Sequence, residues 1–511
     1  MSHRSNLFAQ RIRLRYAIFV NFTARIASYL IGLFFTVIIT RKLSIEEFAT
    51  WVLIFKYITY VVPLVIIYNF WLPRTISRGY NTAKAGLFLS LTLGSIATII
   101  YIIIAYNTVI AFNYPFQILL LASVLVIERY IYRYLCALSI SSAPHYIGYS
   151  NVILRTSQTI LVFIFIFIYK LGLFGALMAV ILGRTLSILI LSILNYSIIV
   201  SSTLDLSIIK IWFKRSWLPL MNSLTVSFVA LDVVLVRILY NSEKPIAFYG
   251  VISALLNLAV PATSVYPALY SRLLAKREVK DLFEAFWISY VLCIPVVVSI
   301  LTYAEPLIAI YGVKYLEASW AARIFVLSSL LSTFVELLKT SLWGLETGDI
   351  DMNSDFGFEL INSMLFKVPF FNIVVSSIYL CLLALVCIST SDAITLIILW
   401  GILYLIRYLM LVIAYVSLLK EFKVSLNFKL FANVLIKCLL ASTGILIIHM
   451  FVEVKPSVSI WQLLSDMMPV VLLSTISYFG LLYIIDEKFR KLLHTYLCKV
   501  NLLQFQSALI V

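Results

Sequence analysis

The chain has 511 residues, 63% of them hydrophobic and only 12% charged, with a mean hydropathy of +1.04. Soluble domains sit nearer about 45–50% apolar and about 25% charged residues, so a soluble globular class is excluded. The net charge of +16 does not mark a nucleic-acid-binding face, because Lys and Arg gather at the edges of apolar runs, where an anionic cytoplasmic leaflet attracts them.

The apolar runs are too long and continuous for β-barrel strands, so the expected class is an all-α polytopic membrane protein. In chain order they predict about fourteen transmembrane helices, over 16–40, 48–71, 85–106, 115–141, 150–169, 172–200, 217–240, 246–270, 283–303, 320–343, 367–389, 393–419, 430–451 and 461–485. The first run is too long for the apolar region of a signal peptide, and no small-residue cleavage site follows it. The N-terminus carries Arg4, Arg11, Arg13 and Arg15, and the even-numbered loops are similarly basic, as in Arg272, Lys276, Arg277 and Lys280. The opposite side holds only Arg41, Lys42, Lys170, Arg237, Lys244, Lys314 and Lys455. The positive-inside rule therefore puts both termini in the cytoplasm of a multi-pass cell-membrane protein.

Segments 205–216 and 272–283 and the tail from Lys488 to Val500 place apolar residues at helical spacing beside Lys and Arg, the pattern of helices lying on the inner leaflet. The loop over 344–366 is acidic, with Glu346, Asp349, Asp351, Asp355 and Glu359, but its spacing matches no EF-hand and reads as a solvated loop. The six cysteines have no metal-ligand spacing with a histidine, and His3, His145, His449 and His494 are scattered. No metal site, cofactor motif or catalytic constellation is expected, and no P-loop is present.

The chain repeats at an offset near 196–198: Arg41 matches Arg237, Pro63 matches Pro261 and Arg74 matches Arg272. Six spans separate the copies, so both halves share one topology. The expected organisation is an N-terminal lobe over 1–200, an amphipathic linker over 201–216, a C-terminal lobe over 217–429, and two further helices with a cytoplasmic tail over 430–511. Two six-helix lobes would then flank a central cavity, with Pro63 and Pro261 as candidate kinks, since each removes a helix hydrogen bond.

Ten basic residues lie inside the apolar runs: Arg25, Lys56, Arg129, Arg133, Arg155, Arg184, Arg323, Lys339, Arg407 and Lys437. A cation at the bilayer centre costs about 2.5–3.5 kcal/mol on insertion scales, so it needs a partner, water or a route to the interface. Lys56, Arg155, Arg323 and Lys437 fall within about two turns of an expected span end and read as snorkelling side chains. Arg25, Arg129, Arg133, Arg184 and Arg407 lie deeper and are the candidate ligands of an anion. Arg129 and Arg133 are four apart and share a helix face. The buried acids are fewer. Glu128 points to a different face from Arg129 and would meet a cation of a neighbouring helix. Glu336 can pair with Lys339, three residues on. Asp232 lacks an obvious partner other than Arg237. These three are the candidate carriers of a coupling H+ or Na+.

Segment 40–55, TRKLSIEEFATWVLIF, resembles the first loop and second helix of polysaccharide flippases in the multidrug/oligosaccharidyl-lipid/polysaccharide (MOP) exporter superfamily. Segments 232–274 and 309–348 resemble their spans seven to ten. The resemblance implies a flippase that moves a polyprenyl-diphosphate-linked oligosaccharide from the cytoplasmic to the outer leaflet by alternating access, holding the diphosphate with cavity arginines. Arg25 looks like one of those basic positions, whereas span eight departs from the pattern by having no interior arginine. The implied partners are the lipid-linked oligosaccharide, membrane lipids and H+ or Na+; no cofactor, nucleic acid or covalent chemistry is called for. The rival expectations are a drug or small-solute exporter of the same fold, with a less cationic cavity, and an integral-membrane glycosyltransferase or ligase, which would need a catalytic acid or metal motif.

Overall fold

The computed structural model describes residues 14–77, 80, 82–112, 114–259, 262, 265–266, 269–270, 273, 279–346, 361–422 and 426–494. Its main helices are α1 (Leu14–Lys42), α2 (Ile45–Val61), α3 (Ile66–Ser77), α4 (Ala83–Phe112), α5 (Phe116–Ser142), α6 (His145–Val162), α7 (Gly172–Val200), α8 (Leu206–Arg215), α9 (Trp217–Val229), α10 (Leu231–Tyr240), α11 (Lys244–Leu256), α12 (Val279–Thr302), α13 (Ala304–Tyr311), α14 (Ser319–Leu345), α15 (Met364–Ser389), α16 (Ala393–Leu419), α17 (Phe428–Phe451) and α18 (Ile460–Ile485). No strand occurs among the described residues. Among the described residues ten helical segments are long and apolar enough to cross a membrane, and α2 with the segment Pro63–Ile76 adds an eleventh as a bent pair. In hydrocarbon only a helix satisfies every backbone group within its own segment, which is why such runs fold this way. The expected span 115–141 is the 27-residue α5, in which Glu128, Arg129 and Arg133 interrupt the apolar run. The expected span 246–270 is helical from Lys244 to Leu256 and then turns at 257–259.

Two compact units divide the chain: Met1–Gly250 with Gly348–Leu396, and Val251–Thr347 with Ile397–Val511. In the first unit α1 packs along α6, α6 on α7, α7 on α5 and α5 on α4, while α9 and α10 pack on α15. Ser44 caps α2 in a capping box with Glu47. Oε1 of Glu47 also accepts from the backbone N–H of Leu173, 3.2 Å away at the start of α7. Gly172 permits this contact: its φ is +53°, and a Cβ there would stand 2.6 Å from the same carboxylate oxygen.

Pro63 bends the second span by 42°. Proline has no N–H for the Thr59 carbonyl four residues back. That carbonyl instead accepts the Ser227 hydroxyl of α9 at 2.7 Å. The Val61 carbonyl takes the Tyr130 hydroxyl of α5, and the Tyr60 hydroxyl donates to the Ala230 carbonyl at 2.6 Å, where α9 gives way to α10. The break is thus a junction in which side chains of neighbouring helices satisfy the freed backbone groups. Pro261 lies outside the described residues.

In the second unit α12 packs against α14 and α17, and α17 against α18. Rings of Phe283, Phe286, Phe334 and Phe431 interlock there. Asp486, just past α18, accepts from the Trp287 indole at 3.3 Å and pairs with Lys437 at 3.7 Å. The amphipathic linker forms α8, capped by Asp205, with Leu206, Ile211 and Phe213 exposed beside its basic residues and Trp212 buried. Of the amphipathic tail, residues 487–494 are helical and the remainder lies outside the described residues, as do residues 347–360 of the acidic loop and half of 272–283.

Candidate functional site

Helices α5, α6 and α7 of the first unit gather four arginines. Arg129 and Arg133 lie in each other's field near the midpoint of α5, and Arg184 of α7 acts on Arg129. Arg184 also lies in the field of Arg133 and of Arg155 on α6. Arg129 and Arg184 are half-buried, whereas Arg133 and Arg155 are exposed. Nη1 of Arg184 donates to the Leu125 carbonyl at 3.4 Å. Among the described residues nothing hydrogen-bonds or ion-pairs with the guanidinium groups of Arg129, Arg133 or Arg155. Gly32 of α1 faces Arg155, and a Cβ there would lie 3.9 Å from Cδ and Nε of the arginine, so the missing side chain leaves room for it.

Glu128 is the only carboxylate on these three helices. It is 6% exposed. Its Oε1 accepts the Thr185 hydroxyl at 2.5 Å, and its Oε2 is shielded with no hydrogen-bond partner. Arg184 is the cation whose field it feels, as expected for an acid facing a neighbouring helix. A polar band adjoins the arginines: the Tyr132 hydroxyl bonds Asn151 Oδ1 at 3.0 Å, Ser150 donates to that hydroxyl at 3.1 Å, and Ser150 and Ser187 meet at 2.7 Å. Four cations against one acid leave a surplus of positive charge on these helices, which needs water or an anion in reach.

Asp232 lies in a contrasting place. It is fully buried on α10. Lys56 Nζ on α2 sits 3.3 Å from Oδ1, and the Tyr379 hydroxyl of α15 donates to Oδ2 at 3.3 Å. The expectation that Asp232 has no obvious partner beyond Arg237 is therefore corrected. Arg237 instead contacts the Tyr114 hydroxyl at 2.9 Å and Glu243 at 3.3 Å. Lys56 is also not a snorkelling side chain, because its ammonium is held between Asp232 and the Tyr249 ring, 4.9 Å from the centroid.

Solved structures resemble this chain. A multidrug resistance MATE family transporter of the MOP superfamily, in an inward-facing conformation, is 16% identical with a TM-score of 0.59, covering 78% of this chain and 96% of its own. The lipid II flippase MurJ in an inward closed conformation is 15% identical with a TM-score of 0.65, covering 92% and 99%. A mutant of the Vibrio cholerae MATE transporter VcmN is 16% identical with a TM-score of 0.51, covering 84% and 99%. The chain has the fold of the MOP exporters. No protein-family model and no curated protein sequence matches it.

Within this fold the remaining candidates fall as follows. Arg25 lies on α1, with its side chain outside the described residues. Arg407 belongs to the second unit; it is 4% exposed and its guanidinium stands 5.1 Å from the centre of the Tyr408 ring. Glu336 and Lys339 pair at 2.8 Å, Arg323 pairs with Glu305 at 3.3 Å, and Lys437 with Asp486. No group of His, Cys, Asp and Glu is placed to hold a metal ion among the described residues. The residue that sequence reasoning missed is Arg155. Its span was expected to begin at 150, which put it near the interface. The helix begins at His145, so Arg155 sits about 15 Å along it at 1.5 Å per residue, within the apolar segment His145–Ile168.

Proposed function

We propose that the chain is a flippase for a polyprenyl-diphosphate-linked oligosaccharide, moving the polar head from the cytoplasmic to the outer leaflet of the cell membrane. The observation that carries this reading is the set of unpartnered guanidinium groups of Arg129, Arg133 and Arg155 beside Arg184. Guanidinium is planar, always charged and matched to phosphate oxygens, and a diphosphate offers several of them. The fixed cations replace the head's hydration, while the polar band of Tyr132, Asn151, Ser150 and Ser187 suits a wet surface beside them. The lipid tail stays in hydrocarbon. The step is binding and reorientation by alternating access between two six-helix lobes, with Arg25 as a further ligand of the head and both chain termini in the cytoplasm. Nothing in it requires covalent chemistry.

The test is a proteoliposome assay with a fluorescent polyprenyl-diphosphate disaccharide on one leaflet. The wild type should move it, and Arg129→Ala with Arg133→Ala should not. Transport of a cationic drug that survives the same substitutions, with no movement of the lipid, would instead identify a drug exporter on the same fold.

A further inference from the structure

The reading above leaves Glu128 without a task, although it is the residue most exposed to a change in the charge of the site. Two opposed influences act on its carboxyl group. Burial at 6% exposure, with Oε2 lacking any donor, acts first and favours the neutral acid. The field of Arg184 opposes it and favours the carboxylate. The single bond to Thr185 suits either form, because a hydroxyl can donate to a carboxylate or accept from an acid. A group balanced in this way responds to any new charge nearby.

The other elements packed on α5 add little to this balance. From α6, Arg155 acts on Arg184. On α5 itself Arg129 and Arg133 flank the site. Among its residues of charged type, α4 carries only Lys84, near its start; α3 carries Arg74, which donates to its own helix at the Phe70 carbonyl; and on α2 Lys56 is bound to Asp232, with Glu46 and Glu47 in the first turn. The cation that Glu128 senses is therefore Arg184, which itself lies in the field of Arg133 and Arg155.

We infer that Glu128 is the proton-binding group of the anion site: it is ionised while the arginines are empty and takes up one proton when a diphosphate occupies them. The inference rests on the proposed function and supplies its coupling ion. An arriving diphosphate neutralises Arg184, the arginine that stabilises the carboxylate, and brings its own negative charge to the cluster. Both changes favour the neutral acid. The balance is simple: one proton from water joins Oε2, no bond to the ligand forms, and the proton leaves when the anion leaves. Each diphosphate then crosses with one proton, so the charge moved per cycle drops from about two to about one, and the voltage dependence of transport falls by half.

The experiment uses the full chain in lipid nanodiscs with inorganic pyrophosphate as the probe. Infrared difference spectra on adding pyrophosphate should show the C=O stretch of a newly protonated carboxyl group, which the ligand itself cannot produce. The band should be absent in Glu128→Gln. In parallel, the wild-type affinity divided by that of Glu128→Gln should fall as pH rises, by up to about tenfold per pH unit, because ionised Glu128 repels the anion and Gln does not. The ratio cancels the ligand's own titration. A band that persists in Glu128→Gln overturns the inference. So does wild-type binding without any band, a result that stands even if the variant fails to fold. Pyrophosphate binding that needs Arg129 and Arg133 but gives no band removes the proton alone. Failure to bind, or binding that ignores Arg129→Ala with Arg133→Ala, removes the anion site and the proton together.

Discussion

Two places in the first unit put charge on apolar helices, and they resolve its cost in opposite ways. At Lys56 and Asp232 the charges are equal in number, and each is held: the acid by an ammonium, a tyrosine hydroxyl and the N–H of Val233, the base also by an aromatic face. At Arg129, Arg133, Arg155 and Arg184 the charges are of one sign, with Glu128 the only acid beside them and three guanidinium groups unpartnered among the described residues. The first arrangement is complete within the protein and fixes α2 against α10 and α15. The second is complete only with water or an anion. The presence of an intramembrane charge therefore says little about its role; whether the fold satisfies it says much more.

That contrast is sharpest at Asp232. Removing one member of a buried ion pair leaves an uncompensated charge and costs about 3–5 kcal/mol, whereas replacing both by apolar residues of similar volume is often neutral. Asp232→Ala should lower stability by about that amount in reversible detergent or urea unfolding, and Lys56→Met with Asp232→Leu should recover most of it. If the double variant is as unstable as the single one, the pair is not a closed structural unit.

The arginines should behave in the reverse sense. A hydrogen bond to a charged group is worth about 1.5–3 kcal/mol, so under the proposed function losing Arg129 and Arg133 as ligands should slow flipping at least about 100-fold. Stability should stay level or rise, because Arg129→Ala and Arg133→Ala remove unsatisfied cations. Replacement by Lys keeps the charge but loses the fork, so transport should recover in part. A loss of stability comparable to that of Asp232→Ala would show that these arginines have structural partners after all.

These two regions were unequally legible in the sequence. The all-helical class and the existence of most spans follow from apolar runs alone. Arg129 and Arg133 were visible because the signal is local: two cations four apart in the middle of one long run. Arg155 was set apart from the cluster because its position along its helix depends on where that helix starts, and polar residues such as His145, Tyr149 and Ser150 blur that start. The Lys56–Asp232 pair was invisible because its members are separated by 176 positions and hydropathy carries no information on which helices touch. Glu128 could be suspected of facing a cation, but its unpartnered oxygen is a property of packing.

A smaller effect tests whether Arg155 belongs with the cluster. Arg155→Ala should weaken pyrophosphate binding by about tenfold, the loss of one charge-assisted hydrogen bond at the lower end of its range. Gly32→Leu should imitate it by filling the space in which the guanidinium lies, whereas Gly32→Ala should be tolerated, since its Cβ would make only ordinary contact with the arginine at 3.9 Å. If Gly32→Leu binds as the wild type does, Arg155 does not depend on the room beside α1.

The smallest effect concerns the junction at Pro63. Ser227→Ala removes the hydroxyl that satisfies the Thr59 carbonyl, and an unsatisfied buried carbonyl costs about 1–3 kcal/mol. The lower end applies here, because the carbonyl is half-buried and has access to other donors as the helix relaxes. A stability loss of about 1 kcal/mol is therefore expected, with the bent second span intact. Pro63→Ala then provides the complement. It restores the N–H that the Thr59 carbonyl lacks, so the cost of Ser227→Ala should largely vanish in the Pro63→Ala background. Equal costs in both backgrounds would mean that the hydroxyl supports something other than the break in the helix. A non-additive result would place the Ser227 bond alongside the Lys56–Asp232 pair, as a contact that the fold completes for itself.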